Sequence, residues 1–189
     1  MEHAAVIYVG LGANLPSPDH GTPEATLVAA LDHFAAAGVT VVARSPWYRS
    51  APVPRSDQPW FINGVAAVES ALAPGPLLSA LHGIEAAFGR VRRERWGPRI
   101  IDLDLIAFHD EVLAAPGGPE IPHPRMHERA FVLRPLADLA PDWRHPVLGR
   151  GVGDLIAGLD GAQEVERLET PAAGVPRTAN AGKLLDVPD

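Results

Sequence analysis

Residues 100–108, IIDLDLIAF, set acids and aliphatics in strict alternation at their centre, a period of two that belongs to a strand. Successive side chains of a strand point to opposite faces. Ile101, Leu103 and Leu105 therefore go one way, and Asp102 and Asp104 share the other. The two acidic backbones are then roughly 6–7 Å apart. Carboxylates at that spacing repel by roughly 2–3 kcal/mol at an effective dielectric near 20. A counter-charge relieves this. Hard divalent cations such as Mg²⁺ take one or two carboxylates and complete their shell with water and phosphate oxygens. Two such ions roughly 3.5–4 Å apart are a common device for displacement at phosphorus. The same pattern also arises where a half-exposed strand turns acids to water and pairs them with arginines.

The strand has to find partners, and the rest of the chain supplies them. AVIYVG (5–10) reads as a buried strand, and GLGANLPSP after it as a strand-to-loop turn. A helix starts at Thr22-Pro23-Glu24, carries Leu27, Leu31 and Phe34 at helical spacing, and ends at Gly38. Residues 39–45 are β-branched and read as a strand, 45–59 as a proline-rich loop, and 60–70 as a second long strand. Pro74 to Gly89 reads as a helix with Leu77, Leu81, Ile84 and Phe88 on one face. Residues 122–143 suggest short helical turns broken by proline. The order β-α-β-β-α-β predicts an α+β fold: a ferredoxin-like antiparallel sheet with helices packed on it, plus a C-terminal extension. One domain is expected over 1–163, and 164–189 as a loosely held tail.

Of 189 residues, 47% are hydrophobic and 21% charged, which suits a packed domain. A net charge of −7 argues against a general nucleic-acid binder, and no apolar run reaches membrane-spanning length. The N-terminus lacks the pattern of a signal peptide, so a cytoplasmic location is expected. There is no cysteine, which excludes disulfides and thiolate metal sites. Lys183 is the sole lysine among 16 basic residues and lies in the expected tail. Anion chemistry in the folded body therefore falls to arginine. GxxxxGK[ST] is absent, which excludes that class of phosphate-binding loop.

Residues 90–99, RVRRERWGPR, hold five arginines directly before the acidic strand. Guanidinium groups grip phosphate oxygens at two points and stay charged. Gly97-Pro98 suits a loop that folds over a ligand, with Trp96 packing on a base or excluding water. Acids for cations and arginines for phosphates make the two halves of a polyphosphate site. Either segment alone also reads as ordinary solvated charge. Asn63 within an apolar strand is a buried amide in need of partners, and suits the polar edge of a heterocycle. His123 and His127 have the i, i+4 spacing of metal ligands, but the flanking Pro122 and Pro124 disfavour one helix there. His123 then reads as a hydrogen-bond donor to phosphate.

YVGLGANL (8–15), YRSAP with DQPWFING (48–64), GRVRRERWGPRIIDLDLIAF (89–108) and IPHPRMHERAFVLRPLADLAPDW (121–143) together resemble the family of 6-hydroxymethyl-7,8-dihydropterin pyrophosphokinases. The resemblance implies transfer of pyrophosphate from ATP to the pterin's hydroxymethyl oxygen, with release of AMP. It implies that Asp102 and Asp104 hold two Mg²⁺ ions. Arg90 and Arg92 would assist transfer. Arg90, Arg95, Trp96, Arg99, His123 and Arg129 would contact ATP. Ser50, Pro52, Val53, Phe61, Asn63, Glu85 and Phe131 would form the pterin site, the two phenylalanines sandwiching the ring. ATP and the hydroxymethyldihydropterin are the expected partners, with no nucleic acid and no membrane. The oligomeric state is left open, a monomer being sufficient. Two rivals remain at the level of sequence: another two-metal nucleotidyl or phosphoryl transferase on the same fold, and a non-catalytic binding module.

Overall fold

The computed structural model describes residues 6–90, 97–114 and 118–169. In chain order the elements are β1 (Ile7–Ala13), α1 (Pro23–Asp32), β2 (Val39–Arg44), β3 (Tyr48–Ser50), β4 (Phe61–Ser70), α2 (Pro74–Ala87), β5 (Asp102–Phe108), β6 (Leu113–Ala114), β7 (Glu120–Ile121), α3 (Ala130–Leu139), α4 (Val152–Ala157) and β8 (Val165–Arg167). The main sheet runs β5-β1-β4-β3-β8, and β2 also pairs with β4. β2 and β3 lie end to end along one edge of β4, opposite residues 66–70 and 61–63. All these pairings are antiparallel. The β-α-β-β-α-β frame expected from the sequence is present, with α1 and α2 packed on the face carrying Ile7, Val9 and Leu11.

The opposite face has its own apolar layer. Tyr8, Val65, Ala67 and Ile106 meet Val132, Leu133 and Leu136 of α3, and Val152 and Leu155 of α4. Residues 122–143 differ here from expectation, because α3 runs without a break through Pro135. Proline has no N–H to give to the Phe131 carbonyl and crowds that turn. Burial of Val132, Leu133 and Leu136 on the sheet offsets the cost.

β1 runs on through Gly10, Leu11 and Gly12 rather than turning there. Gly10 is a place of close approach, while a Cβ at Gly12 would make only ordinary contacts. A Cβ at Gly10 would lie 3.0 Å from Ile106 Cδ1, and one at Gly12 would lie 3.7 Å from Asp102 Cβ. Two further strands were not legible. β3 falls inside the proline-rich segment, and β8 pairs with it at the start of the expected tail. Residues 165–167 are thus part of the sheet; 170–189 lie outside the described residues.

Gly64 shows how tightly the first face is packed. A Cβ there would stand 2.8 Å from Cζ3 and 2.9 Å from Cε3 of the buried Trp47. The Gly64→Ala variant should lose about 1–3 kcal/mol through overpacking. Thermal unfolding reads this as a fall in Tm of roughly 2–4 °C per kcal/mol. An unchanged Tm would show that Trp47 moves aside freely.

Candidate active site

Sheet alternation aims a set of polar side chains at one end of the second face. Gly12 pairs with both Asn63 and Asp102, and Gly10 pairs with Asp104. Missing side chains on β1 therefore open a floor between the β4 amide and the β5 acids. The β1–β5 register shifts at Ile106. Before the bulge, plain alternation leaves Asp102 and Asp104 on the cavity side while Leu103 and Leu105 enter the opposite core; past it, Ile106 and Ala107 both join the second core.

A cavity of about 150 Å³ results, lined by Gly10, Gly12, Asn63, Asp102, Asp104 and Phe131 among others. Ser50, Pro52, Val53 and Phe61 form the side contributed by β3 and the 51–60 segment, and Arg99 and Arg129 also reach it. Asn63 is 5% exposed and donates through Nδ2 to Ser50 Oγ at 2.9 Å. That bond fixes the amide plane. Tyr48, opposite Asn63, donates its hydroxyl to Asp138 Oδ2 at 2.7 Å and so ties β3 to α3. Burial first, and the Asp138 contact next, push the Tyr48 phenol up to about 12, which keeps it a donor. Arg129 lies over Phe131, 5.6 Å from the ring centroid.

The acids differ in their surroundings. Asp102 is gripped by two guanidinium groups: Arg90 Nη1 at 2.6 Å from Oδ1, and Arg99 Nη1 on Oδ2. Asp104 is pushed up from its ordinary value to about 7, by burial first and by the Asp102 charge second, against the pull of Arg129. It is a carboxylate short of positive charge. Among the described residues no cluster of three or more acidic or histidine side chains could hold a metal. A cation at Asp102 and Asp104 would therefore need oxygens from water or a ligand to fill its shell, which is the habit of Mg²⁺ at phosphate sites. The donor set fits that ion.

His123 does not line the cavity but stands beside it. Its Nδ1 accepts the Arg125 N–H at 3.1 Å, which leaves the other ring nitrogen as the donor. Burial first, and Arg129 second, push its pKa down to about 4, so the ring is neutral at pH 7. Arg90 likewise lies off the cavity, on Glu85 and Asp102. Glu85 does not line the cavity. It is 2% exposed on α2, pairs with Arg90, and accepts the Leu103 N–H at 2.7 Å. Its position is behind the acidic strand because α2 packs on the opposite face of the sheet. Arg92, Arg95 and Trp96 lie outside the described residues. Gly10, Gly12 and Arg125 join the cavity without having been expected. A Gly-x-Gly inside a strand, rather than after it, was the available signal for the first two.

The family described as 7,8-dihydro-6-hydroxymethylpterin-pyrophosphokinase matches residues 8–141. A 2-amino-4-hydroxy-6-hydroxymethyldihydropteridine pyrophosphokinase of Pseudomonas aeruginosa is 48% identical over 163 residues, covering 86% of this chain and 96% of that one. One of Methylorubrum extorquens is 44% identical over 168 residues, covering 86% and 98%. Among solved structures, wild-type HPPK-DHPS of Plasmodium falciparum with STZ-DHP superposes with a TM-score of 0.62 at 15% identity. The match covers 83% of this chain and 44% of that one, and at this identity it speaks to the fold alone. No helix among the described residues is long and apolar enough to cross a membrane.

Proposed function

Because the chain belongs to the 7,8-dihydro-6-hydroxymethylpterin-pyrophosphokinase family, and is thus an ATP-dependent diphosphotransferase of folate biosynthesis, we propose that its cavity takes the pterin and its acidic edge the triphosphate. The reaction passes pyrophosphate from ATP to the hydroxymethyl oxygen and releases AMP. The observation that carries the assignment is the convergence of an oriented buried amide, two phenylalanines and two carboxylates on one cavity.

A pterin is flat and polar at its edge. Phe61 and Phe131 line the cavity and would stack on the pterin's faces, with Pro52 and Val53 at the side. The Asn63 amide, held by Ser50, meets the polar edge. Asp102 and Asp104 would hold Mg²⁺, two ions in our reading. When bound, the metal offsets the charge of the phosphates and screens the acids from each other. Arg99 and Arg129 supply fixed positive charge on the nucleotide side, and neutral His123 supplies an N–H for a phosphate oxygen. Arg90 would turn from Asp102 to the phosphates, with Arg92, Arg95 and Trp96 completing that side. Catalysis is then in-line positioning of the alcohol against the β-phosphorus, with charge stabilisation around it.

Asn63→Leu tests the pterin half. It keeps the approximate volume of the side chain and removes both hydrogen-bonding groups. A lost buried bond of about 1–3 kcal/mol raises the pterin KM by about 5–150-fold. The ATP KM should hold, since Asn63 contacts only the heterocycle in this assignment. Steady-state assays of AMP formation measure both. An unchanged pterin KM would move the pterin away from Asn63.

A further inference from the structure

Asn14 follows the last residue of β1 and is 2% exposed, yet it does not line the cavity. Its amide is bonded on both sides. Oδ1 accepts the Arg99 N–H at 2.8 Å. Nδ2 donates to the Pro59 carbonyl at 3.1 Å and to Gln58 Oε1 at 3.4 Å. The main-chain N–H groups of Asn14 and Leu15 both donate to the Arg99 carbonyl, at 3.0 and 3.2 Å. The Arg99 peptide groups are thus held from both sides, while its guanidinium grips Asp102. Pro59 stands two residues before Phe61, at the end of the segment whose Pro52 and Val53 line the cavity.

We propose that Asn14 is a positioning residue that couples the pterin half of the site to the nucleotide half. The proposal rests on the assignment of those halves made above. Bonded to 58–59 on one side and to Arg99 on the other, Asn14 links the two segments, so order imposed on one by a ligand favours order in the other. The position calls for an acceptor facing an N–H and a donor facing a carbonyl on one short planar group, which asparagine provides. Burial makes a broken bond costly, so the two segments do not drift apart freely. Coupling of this kind is reciprocal: whatever nucleotide does for pterin affinity, pterin does for nucleotide affinity.

Asn14→Asp separates the two links. It keeps an acceptor for the Arg99 N–H and sets a carboxylate oxygen against the Pro59 carbonyl. Calorimetry of the hydroxymethyldihydropterin, with and without Mg²⁺ and a non-hydrolysable ATP analogue, gives the coupling factor. In wild type the expected factor is about 5–150. In N14D it falls toward one while the analogue's own affinity holds. A buried carboxylate burdens folding, so a second measurement uses wild type alone. Pterin without nucleotide should slow hydrogen exchange at the Arg99 amide, which is bonded to Asn14. Unchanged coupling in folded N14D overturns the proposal, and so does Arg99 exchange indifferent to pterin. Binding of both ligands to wild type without coupling overturns it too and leaves the assignment of the halves intact. Failure of wild type to bind either ligand overturns that assignment, and this proposal with it.

Discussion

Asp104→Ala lowers kcat by about a thousandfold, the rate equivalent of about 4 kcal/mol of lost charge stabilisation. Asp102→Ala does the same, and in both variants calorimetry finds Mg²⁺-dependent ATP binding weakened together with turnover. Asp104→Ala keeps the fold, because Asp104 opposes folding at neutral pH. Burial and Asp102 raise its carboxyl from 3.8 to about 7 in the folded chain. Between those values the folded state holds a proton that the unfolded state has released. In the metal-free chain the Asp104 contribution to stability therefore falls as pH rises from about 4 to about 7. Asp104→Asn has no such slope from this position, and at pH 8 without metal it should melt at or above wild type. Denaturation of both chains across that pH range checks the sign. A fully active D104A enzyme would remove the acids from the site.

What could be read in the chain before its coordinates depended on distance along the sequence. The α2 helix begins at Pro74 as expected and stops before Gly89, whose φ of +76° suits glycine. Asp102 and Asp104 share a face because a period of two is local information. β3 was missed because it is three residues long and lies between prolines. It owes its existence to β4 and to β8; the Arg49–Glu166 ion pair joins residues 117 apart in sequence. Asn63 and Asn14 illustrate the same limit. Both are buried amides, but Asn63 announces itself by interrupting an apolar strand. Asn14 looks like a turn residue until Pro59 and Arg99, 45 and 85 positions away, close on it. Nor can sequence say which face of the sheet α2 covers, and so where Glu85 stands relative to Leu103.

Glu85→Ala should be the most destabilising single change at the site. Its side chain is 3% exposed, and it is the acceptor for the Leu103 N–H on the strand between the two aspartates. It also neutralises Arg90, itself only 14% exposed. Alanine leaves that amide without its acceptor and shifts the whole guanidinium charge to Asp102. Removing one partner of a buried ion pair costs about 3–5 kcal/mol. At roughly 2–4 °C per kcal/mol that is a Tm lower by about 6–20 °C. Glu85→Gln divides the two roles: its carbonyl oxygen still accepts from Leu103, so the part of the loss owed to that amide returns, while the part owed to the ion pair remains. Arg90 then binds Asp102 more tightly, at 2.6 Å already, in competition with a metal ion. The Mg²⁺ concentration for half-maximal turnover should rise severalfold in E85Q, with kcat at saturating metal changed less. An E85A enzyme as stable as wild type would mean that Arg90 and Leu103 find other partners, and an unshifted metal requirement in E85Q would separate Arg90 from the acids' chemistry.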